Sequence, residues 1–222
     1  MNTVIKHIVA NTYKPLLARY LAKTRVYRYE NLQLKIAPEV FHPGFFFSTR
    51  LLLQYISKLP LQKKEFMELG CGSGLISIVA AKKSACVTAT DINPIALEFL
   101  KMNCFRNNVQ LKIFHSDLFN EIPVKQYDII AINPPYYKKD PVTMRDHAWF
   151  CGGNGEYFER LFKTMHKYIH VDTEILMVLF DGCDMEMIND FATRNNFILN
   201  CVVSKQNMLE KNFIYKIEKY ND

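Results

Sequence analysis

Apolar and polar positions divide the chain into a short first part and a longer part of alternating strands and helices. In residues 3–22 the apolar side chains have a loosely helical spacing interrupted by Pro15, which predicts a short helix. Residues 26–29 and 32–36 then carry apolar residues in alternation on either side of Glu30 and Asn31. This pattern predicts a β-hairpin.

From residue 65 onward the pattern changes to strand, glycine-rich turn, helix and strand. A helix begins after Asn93, a good capping residue, with Pro94 at the first position, where no N–H is needed. Two final strands, 197–203 and 212–217, have no helix between them and predict an antiparallel edge hairpin. The alternation implies an α/β fold whose mostly parallel sheet is covered on both faces. The other predicted elements are strands over residues 65–69, 86–90, 111–114, 128–132 and 174–180, and helices over residues 75–83, 156–170 and 184–195.

Length and composition are those of one globular domain. The chain has 222 residues, of which 49% are hydrophobic and 23% charged, which excludes a largely disordered protein. No apolar run reaches the ~18–20 residues of a membrane-spanning helix, and the first residues lack the order of a signal peptide. Six scattered cysteines without CxxC spacing predict reduced thiols in a cytoplasmic protein. No metal site is expected, because the pair His166 and His170 lacks a third ligand.

Positive charge is concentrated near the start of the chain. The net charge is +6, and residues 1–65 hold eleven Lys or Arg against three Asp or Glu, a net +8. A basic region on a slightly acidic body suits a polyanionic partner such as RNA. It also suits a solvated surface whose lysines only aid solubility, so charge leaves both interpretations open.

A glycine-rich turn precedes the helix predicted over residues 75–83. It runs from Glu68 through Gly70, Gly72 and Gly74. Glycine lets the backbone turn tightly and approach a ligand, and a helix N-terminus presents free N–H groups. A nucleotide pyrophosphate or the carboxylate of an amino-acid-like cofactor would suit this site. A purely structural turn is the alternative.

Carboxylates follow the next two predicted strands. Asp91 ends the second strand, where its side chain can accept hydrogen bonds from both hydroxyls of a ribose. Asp117 follows the third strand, where it can accept from an adenine amino group. Because ligands bind at the carboxyl ends of parallel strands, these acids and the glycine turn are expected to converge on one crevice.

The fourth strand leads directly into Asn133, Pro134, Pro135 and Tyr136. The prolines fix the backbone, so Asn133 is held at the strand end with its side chain towards the crevice. Its carboxamide oxygen and the Pro134 carbonyl can accept both N–H groups of an amide or aromatic amine, which points the nitrogen lone pair at an electrophile. Tyr136 offers a ring to stack on a planar acceptor. Asn133, Pro134 and Tyr136 are therefore the predicted catalytic residues, and they act by positioning.

Together these residues resemble the class I S-adenosylmethionine-dependent methyltransferases, in the branch with an Asn-Pro-Pro-Tyr motif, over roughly residues 38–218. The resemblance implies a Rossmann-like, doubly wound sheet of seven mostly parallel strands. It implies a methyltransferase domain over residues 41–222, preceded by a helix and hairpin extension over residues 1–40. S-adenosyl-L-methionine is the implied cofactor, with Glu68 and the glycines at its methionine moiety, Asp91 at the ribose and Asp117 at adenine. The residues implied to hold it are Thr49, Glu68, Gly70, Cys71, Gly72, Gly74, Asp91, Ile92, Asp117, Leu118 and Asn133.

A narrower resemblance links the chain to the methyltransferase small domain group, which includes glutamine N5-methyltransferases of translation release factors. It is carried by residues 40–44 and 48–53 and by the loop Gly152-Gly153-Asn154-Gly155. The chain departs from the release-factor enzymes at Ser48, where they have an acidic residue. It also has a short N-terminal part in place of their longer helical bundle.

The sequence therefore predicts an S-adenosylmethionine-dependent N-methyltransferase that docks its acceptor on the basic residues 1–65. The first expected acceptor is a protein glutamine amide, for instance on a translation release factor. The alternative acceptor is an exocyclic amine of an RNA base, adenine N6 or guanine N2. An NAD-binding oxidoreductase is a remote alternative, because Gly74 lies one residue too early for the dinucleotide fingerprint and Asn-Pro-Pro-Tyr has no role in hydride transfer.

Overall fold

The computed structural model describes residues 19–38, 40–207 and 210–220. The helix predicted over residues 3–22 therefore lies mostly outside the described residues, of which 19–21 are helical. The predicted hairpin is present as strands β1 (Arg25–Tyr29) and β2 (Leu32–Ile36), which pair antiparallel. The boundary at residue 40 between an extension and a methyltransferase domain stays a prediction.

The remaining strands form one larger sheet. They are β3 (Glu65–Leu69), β4 (Cys86–Asp91), β5 (Lys112–His115), β6 (Tyr127–Ile132), β7 (Ile169–Phe180), β8 (Phe197–Gln206) and β9 (Lys211–Lys219). The helices are α1 (Phe47–Ile56), α2 (Leu75–Lys82), α3 (Pro94–Arg106), α4 (Glu156–Met165) and α5 (Met185–Arg194). Short 3-10 turns occupy Met144–Ala148 and His166–Tyr168.

The larger sheet has seven strands in the order β5-β4-β3-β6-β7-β9-β8. Strands β3 to β7 pair in parallel, whereas β9 runs antiparallel to both β7 and β8. The prediction of a doubly wound, mostly parallel sheet with an antiparallel C-terminal edge hairpin is confirmed. In such a sheet, β3, β4, β5 and β6 all end at the same edge, which is where ligands bind.

Apolar side chains bury both faces of this sheet. On β6, Ile129 and Ala131 face the cluster formed with α1, α2 and α3, while Ile130 and Ile132 face the cluster formed with α4 and α5. Successive strand residues point to opposite faces, so a strand covered on both sides must be apolar throughout. This explains why β6 appears in the sequence as a continuous apolar run.

The hairpin is joined to the larger domain through two buried asparagines of α3. The Asn103 side chain accepts from Lys35 N at 2.8 Å and donates to Lys35 O at 2.9 Å. Asn107 makes the same two bonds to the backbone of Gln33, each at 3.0 Å. Each asparagine thus substitutes for a neighbouring strand and satisfies the outer edge of β2. Leu34 of β2 is fully buried in the same core.

The helix predicted over residues 156–170 is too long. Helix α4 ends at Met165, and β7 begins at Ile169 instead of at residue 174. Buried Tyr168 donates its hydroxyl to Phe119 O at 3.1 Å, and Ile169 pairs with Tyr127. These long-range contacts end the helical run, and they place His170 on a strand and not on a helix with His166.

Helix α1 was not predicted. Its leucines at 51, 52 and 53 are all buried, so they form an apolar run without the spacing of an amphipathic helix.

No helix among the described residues is long and apolar enough to cross a membrane.

Candidate functional site

Each glycine of the turn between β3 and α2 has a positive φ: 72° at Gly70, 49° at Gly72 and 74° at Gly74. This left-handed conformation favours glycine. A Cβ at Gly70 would meet no atom within 4 Å, whereas one at Gly74 would overlap Leu100 Cδ1. The first part of the turn is therefore open to a ligand. Gly74 instead allows α3 to pack closely against the N-terminus of α2.

Glu68, at the end of β3, is a buried carboxylate bound to the start of α2. Its side chain is 6% exposed, and Oε2 accepts from Ser77 N at 2.8 Å and from the Ser77 hydroxyl. Burial raises its pKa to about 8 from an ordinary value of 4.5, while the Ser77 hydrogen bonds oppose the change and the negative charge of Asp91 adds to it. A cationic ligand placed beside Glu68 would stabilise its negatively charged form.

Asp91 closes the glycine turn from the end of β4. Its Oδ2 accepts from Gly72 N at 2.7 Å and its Oδ1 accepts from Asn93 N at 2.8 Å. Burial raises the pKa of Asp91, and these two backbone N–H groups counteract that shift. Each oxygen keeps a further lone pair, so the carboxylate can still accept hydrogen bonds from a neighbouring diol.

Asp117, which follows β5, is joined to a residue that the sequence did not indicate. Arg160 of α4 lies with Nη2 at 2.6 Å from Asp117 Oδ2. Both side chains are about half exposed, so water screens much of this attraction. Next to it, Leu118 has a φ of 56°, and its carbonyl accepts from the Ser116 hydroxyl at 2.8 Å. The arginine has to share the Asp117 carboxylate with any adenine amino group.

Asn133 lies at the end of β6 and is half-buried. Its Nδ2 donates to Thr49 Oγ1 of α1 at 3.3 Å, so its amide oxygen is turned away from that hydroxyl. Pro134 is buried directly after it.

Tyr136 is held from several sides. Its backbone N–H donates to Trp149 O at 3.2 Å, and its ring centroid lies 4.7 Å from that of Phe180. Burial raises its pKa well above the ordinary value, so the phenol stays protonated. The ring packs as part of the wall, and its predicted stacking on an acceptor stays a prediction.

The loop after Tyr136 forms a wall of the site that sequence reasoning missed. Tyr137 bridges to Phe150 and Lys139 to Gly152, so the loop is pinned against the segment before α4. Gly153 N donates to Asp140 Oδ1 at 2.7 Å, which adds a further link between the two segments. The Gly-Gly-Asn-Gly run was the sequence feature that pointed to this region of the site. It does not indicate where residues 137–150 lie.

Aromatic rings pack around Phe41, which lines the cavity. Phe41 and Phe46 stack with centroids 3.8 Å apart, and Trp149 lies 5.0 Å from Phe41 and 5.1 Å from Phe46. Of the Phe45-Phe46-Phe47 run, Phe46 thus packs against Phe41 and Trp149, whereas Phe45 is 38% exposed.

These elements enclose one cavity of about 410 Å³ at the carboxyl ends of β3, β4, β5 and β6. The predicted site residue that does not line it is Gly74, where a Cβ would overlap Leu100. Residues that the sequence did not indicate include Phe41, Asp140, Met144, His147 and Arg160. In the part of the chain that the structure describes, no three His, Cys, Asp or Glu side chains are grouped to hold a metal ion. The predicted residues that do line the cavity are Thr49, Glu68, Gly70, Cys71, Gly72, Asp91, Ile92, Asp117, Leu118, Asn133, Pro134 and Tyr136.

Comparison with known families gives a match over most of the chain. The model described as "Methyltransferase small domain" matches residues 31–217. A candidate protein N5-glutamine methyltransferase of Methanocaldococcus jannaschii is 42% identical over 108 residues, which cover 48% of this chain and 52% of that protein. Ribosomal RNA small subunit methyltransferase C of Haemophilus influenzae is 36% identical over 111 residues, which cover 49% of this chain and 33% of that protein. The chain thus spans about half the length, or less, of these relatives.

Solved structures agree on the fold. One chain of an E. cuniculi complex responsible for methylation of a translation termination factor has a TM-score of 0.63 and 19% identity, and the match covers 82% of this chain and 99% of that one. At this identity the similarity extends to the fold alone.

Proposed function

Because this chain belongs to the methyltransferase small domain family, we propose that it is an S-adenosylmethionine-dependent N-methyltransferase. The observation that carries the proposal is the convergence of the glycine turn, three carboxylates and the Asn-Pro-Pro-Tyr segment on one cavity. An NAD-binding oxidoreductase receives no support from the family match, and Asn133 has no role in hydride transfer.

The cavity residues fit S-adenosylmethionine. Open space above Gly70 leaves room for a ligand against the backbone, and Thr90 Oγ1 in the cavity wall is buried with no hydrogen-bond partner among the described residues. Glu68 would face the cationic amino group, Asp91 the ribose diol and Asp117 the adenine amino group. When bound, the cofactor supplies a methyl group that carries electrophilic character.

Asn133 prepares the acceptor nitrogen for attack. Its Oδ1 and the Pro134 carbonyl accept the two N–H groups of a planar –NH₂, which turns the nitrogen lone pair towards the cofactor side of the cavity. No charged base is needed for this step, since catalysis comes from orientation. Phe41 and the loop over residues 137–150 shield the reacting atoms from water. In the balanced reaction the N–CH₃ bond would form as the methyl–sulfur bond breaks, S-adenosylhomocysteine would be the leaving group, and the methylated nitrogen would release one proton to solvent.

The first proposed acceptor is the side-chain amide of a protein glutamine. The supporting observation is the 42% identity to a candidate protein N5-glutamine methyltransferase over the half of the chain that aligns. A translation release factor is the proposed partner, and a cytoplasmic location is part of the proposal.

The second candidate acceptor is an exocyclic amine of an RNA base. It is favoured by the 36% identity to a ribosomal RNA methyltransferase and by the +8 charge of residues 1–65. Within the described residues, Arg25 and Arg28 place part of this charge on β1. A base within a helix would also have to leave its stack to reach Asn133.

One experiment tests both the activity and the acceptor class. The protein is incubated with tritiated S-adenosylmethionine and an extract of the cells that make it, and the labelled product is divided between protease and ribonuclease digestion. Label that becomes soluble with protease supports a protein acceptor, and label released by ribonuclease supports the RNA alternative. The absence of any labelling above a reaction without the protein contradicts the proposed function.

A further inference from the structure

The hydroxyl of Thr49, at the start of α1, contacts the Asn-Pro-Pro-Tyr segment through Asn133. Thr49 is buried, at 7% exposure. It belongs to the first turn of a helix that is anchored in the core by Leu52 and Ile56, each fully buried. A helix fixed in this way gives its side chains defined positions.

Thr49 holds the Asn133 side chain by the nitrogen end of its amide. Its Oγ1 accepts a hydrogen bond from Asn133 Nδ2 at 3.3 Å. The Oδ1 and Nδ2 ends of a carboxamide have the same shape but opposite hydrogen-bonding roles. With Nδ2 engaged by Thr49, Oδ1 is the end left for an acceptor N–H. In the flipped amide, Nδ2 would face the N–H donors of the acceptor, and Oδ1 would no longer be available to them.

We propose that Thr49 is a positioning residue for methyl transfer and that it acts through Asn133. The inference rests on the proposed function, and it assigns to Thr49 a different role from the cofactor contact that the family resemblance implies. The two roles make opposite predictions. A cofactor ligand affects affinity for the cofactor, whereas a positioning residue affects the rate at saturating cofactor.

The test compares Thr49→Val, which keeps the shape and removes the hydroxyl, with Thr49→Ser, which keeps the hydroxyl. Thr88→Val is the matched control, because Thr88 is 2% exposed on β4 and lies outside the cavity lining. If Thr49→Val does not fold, Thr49→Ala takes its place.

The first readout does not depend on activity. The side-chain amide of Asn133 gives a pair of ¹H–¹⁵N signals, which are assigned by their loss in Asn133→Asp. Thr49→Val is expected to shift these signals and speed their exchange with water, whereas Thr49→Ser and Thr88→Val leave them in place. Unchanged Asn133 signals in Thr49→Val would overturn the proposal.

The second readout is transfer of tritiated methyl from S-adenosylmethionine to cell extract, together with calorimetric binding of S-adenosylhomocysteine. Losing one neutral hydrogen bond at the reacting centre is expected to lower kcat roughly tenfold in Thr49→Val. The Kd for S-adenosylhomocysteine should stay the same, and Thr49→Ser should restore most of the rate. A weakened Kd with unchanged kcat, or a serine variant no better than the valine variant, would overturn the proposal. If the wild-type protein transfers no methyl group, the proposed function fails, while the Asn133 signals still decide the positioning role.

Discussion

Replacing Glu68 by glutamine should stabilise the protein at neutral pH when no ligand is present. Burial raises the pKa of Glu68 to about 8, so the folded protein holds a proton that the unfolded chain releases above its ordinary pKa of 4.5. For a group whose pKa is raised on folding, the stability is fully present below the unfolded pKa. It is lost as pH rises through the window from 4.5 to 8.

The size of the effect follows from the same two pKa values. Each pH unit between them costs about 1.4 kcal/mol, so the wild-type protein loses about 1 kcal/mol by pH 5 and about 3 kcal/mol by pH 7. Glutamine does not ionise and escapes this loss. An unfavourable contact between the glutamine amide and Ser77 would lower the free energy of unfolding of the variant by the same amount at both pH values. The free-energy difference between variant and wild type should therefore grow by about 2 kcal/mol from pH 5 to pH 7 in favour of the variant.

Urea unfolding of both proteins at pH 5, 6, 7 and 8, without ligand, measures this difference. Glu98→Gln is the control, since Glu98 is exposed on α3 and its replacement should change stability by less than about 0.5 kcal/mol at every pH. Glu68→Gln should also lose affinity for S-adenosylhomocysteine, because it no longer offers a negative charge to the ligand amino group. A difference between Glu68→Gln and wild type that does not change with pH would refute the reasoning.

Other substitutions test the cofactor cavity and the packing around it. Asp91→Ala should weaken binding of S-adenosylhomocysteine at least tenfold by calorimetry, since it removes charged hydrogen bonds worth about 1.5–3 kcal/mol each; unchanged affinity would contradict its role. Gly74→Ala should lower the free energy of unfolding by about 2–4 kcal/mol in urea, because of its positive φ and the clash of its Cβ. Gly70→Ala, which meets no atom, should cost about half as much; equal losses would argue against the clash. Asn103→Ala should cost about 1–3 kcal/mol by leaving the backbone of β2 unpaired, and an unchanged urea midpoint would show that the hairpin does not depend on it.

Patterns that lie within one strand or turn were predictable. The strand at Glu65–Leu69 matches the prediction at both ends, and Asn93 caps α3 by accepting from Ile95 N at 2.9 Å. Both depend on neighbours in sequence: the first on an apolar run before a glycine turn, the second on a capping side chain before a proline. The carboxylates converge because parallel strands end at one edge, which topology alone requires.

Features that depend on distant residues were not predictable. Helix α4 gives way to β7 because Tyr168 bonds to Phe119, almost fifty positions earlier. Arg160 lies next to Asp117 only because α4 packs on the face of the sheet that α4 and α5 cover. The sequence does not distinguish the packing role of Gly74 from the open position of Gly70. The difference depends on Leu100 of α3, which a Cβ at Gly74 would overlap. No local pattern in the sequence encodes these pairings.

The central claim is that Asn133 orients an acceptor nitrogen beside a cofactor held by other residues of the same cavity. Transfer of tritiated methyl by wild type and Asn133→Ala, both saturated with S-adenosylmethionine, tests it most directly. Wild type should label its acceptor, and Asn133→Ala should fall to background while binding S-adenosylhomocysteine with nearly unchanged affinity. An alanine variant that transfers methyl as fast as wild type, or that fails because it no longer binds the cofactor product, would contradict the account.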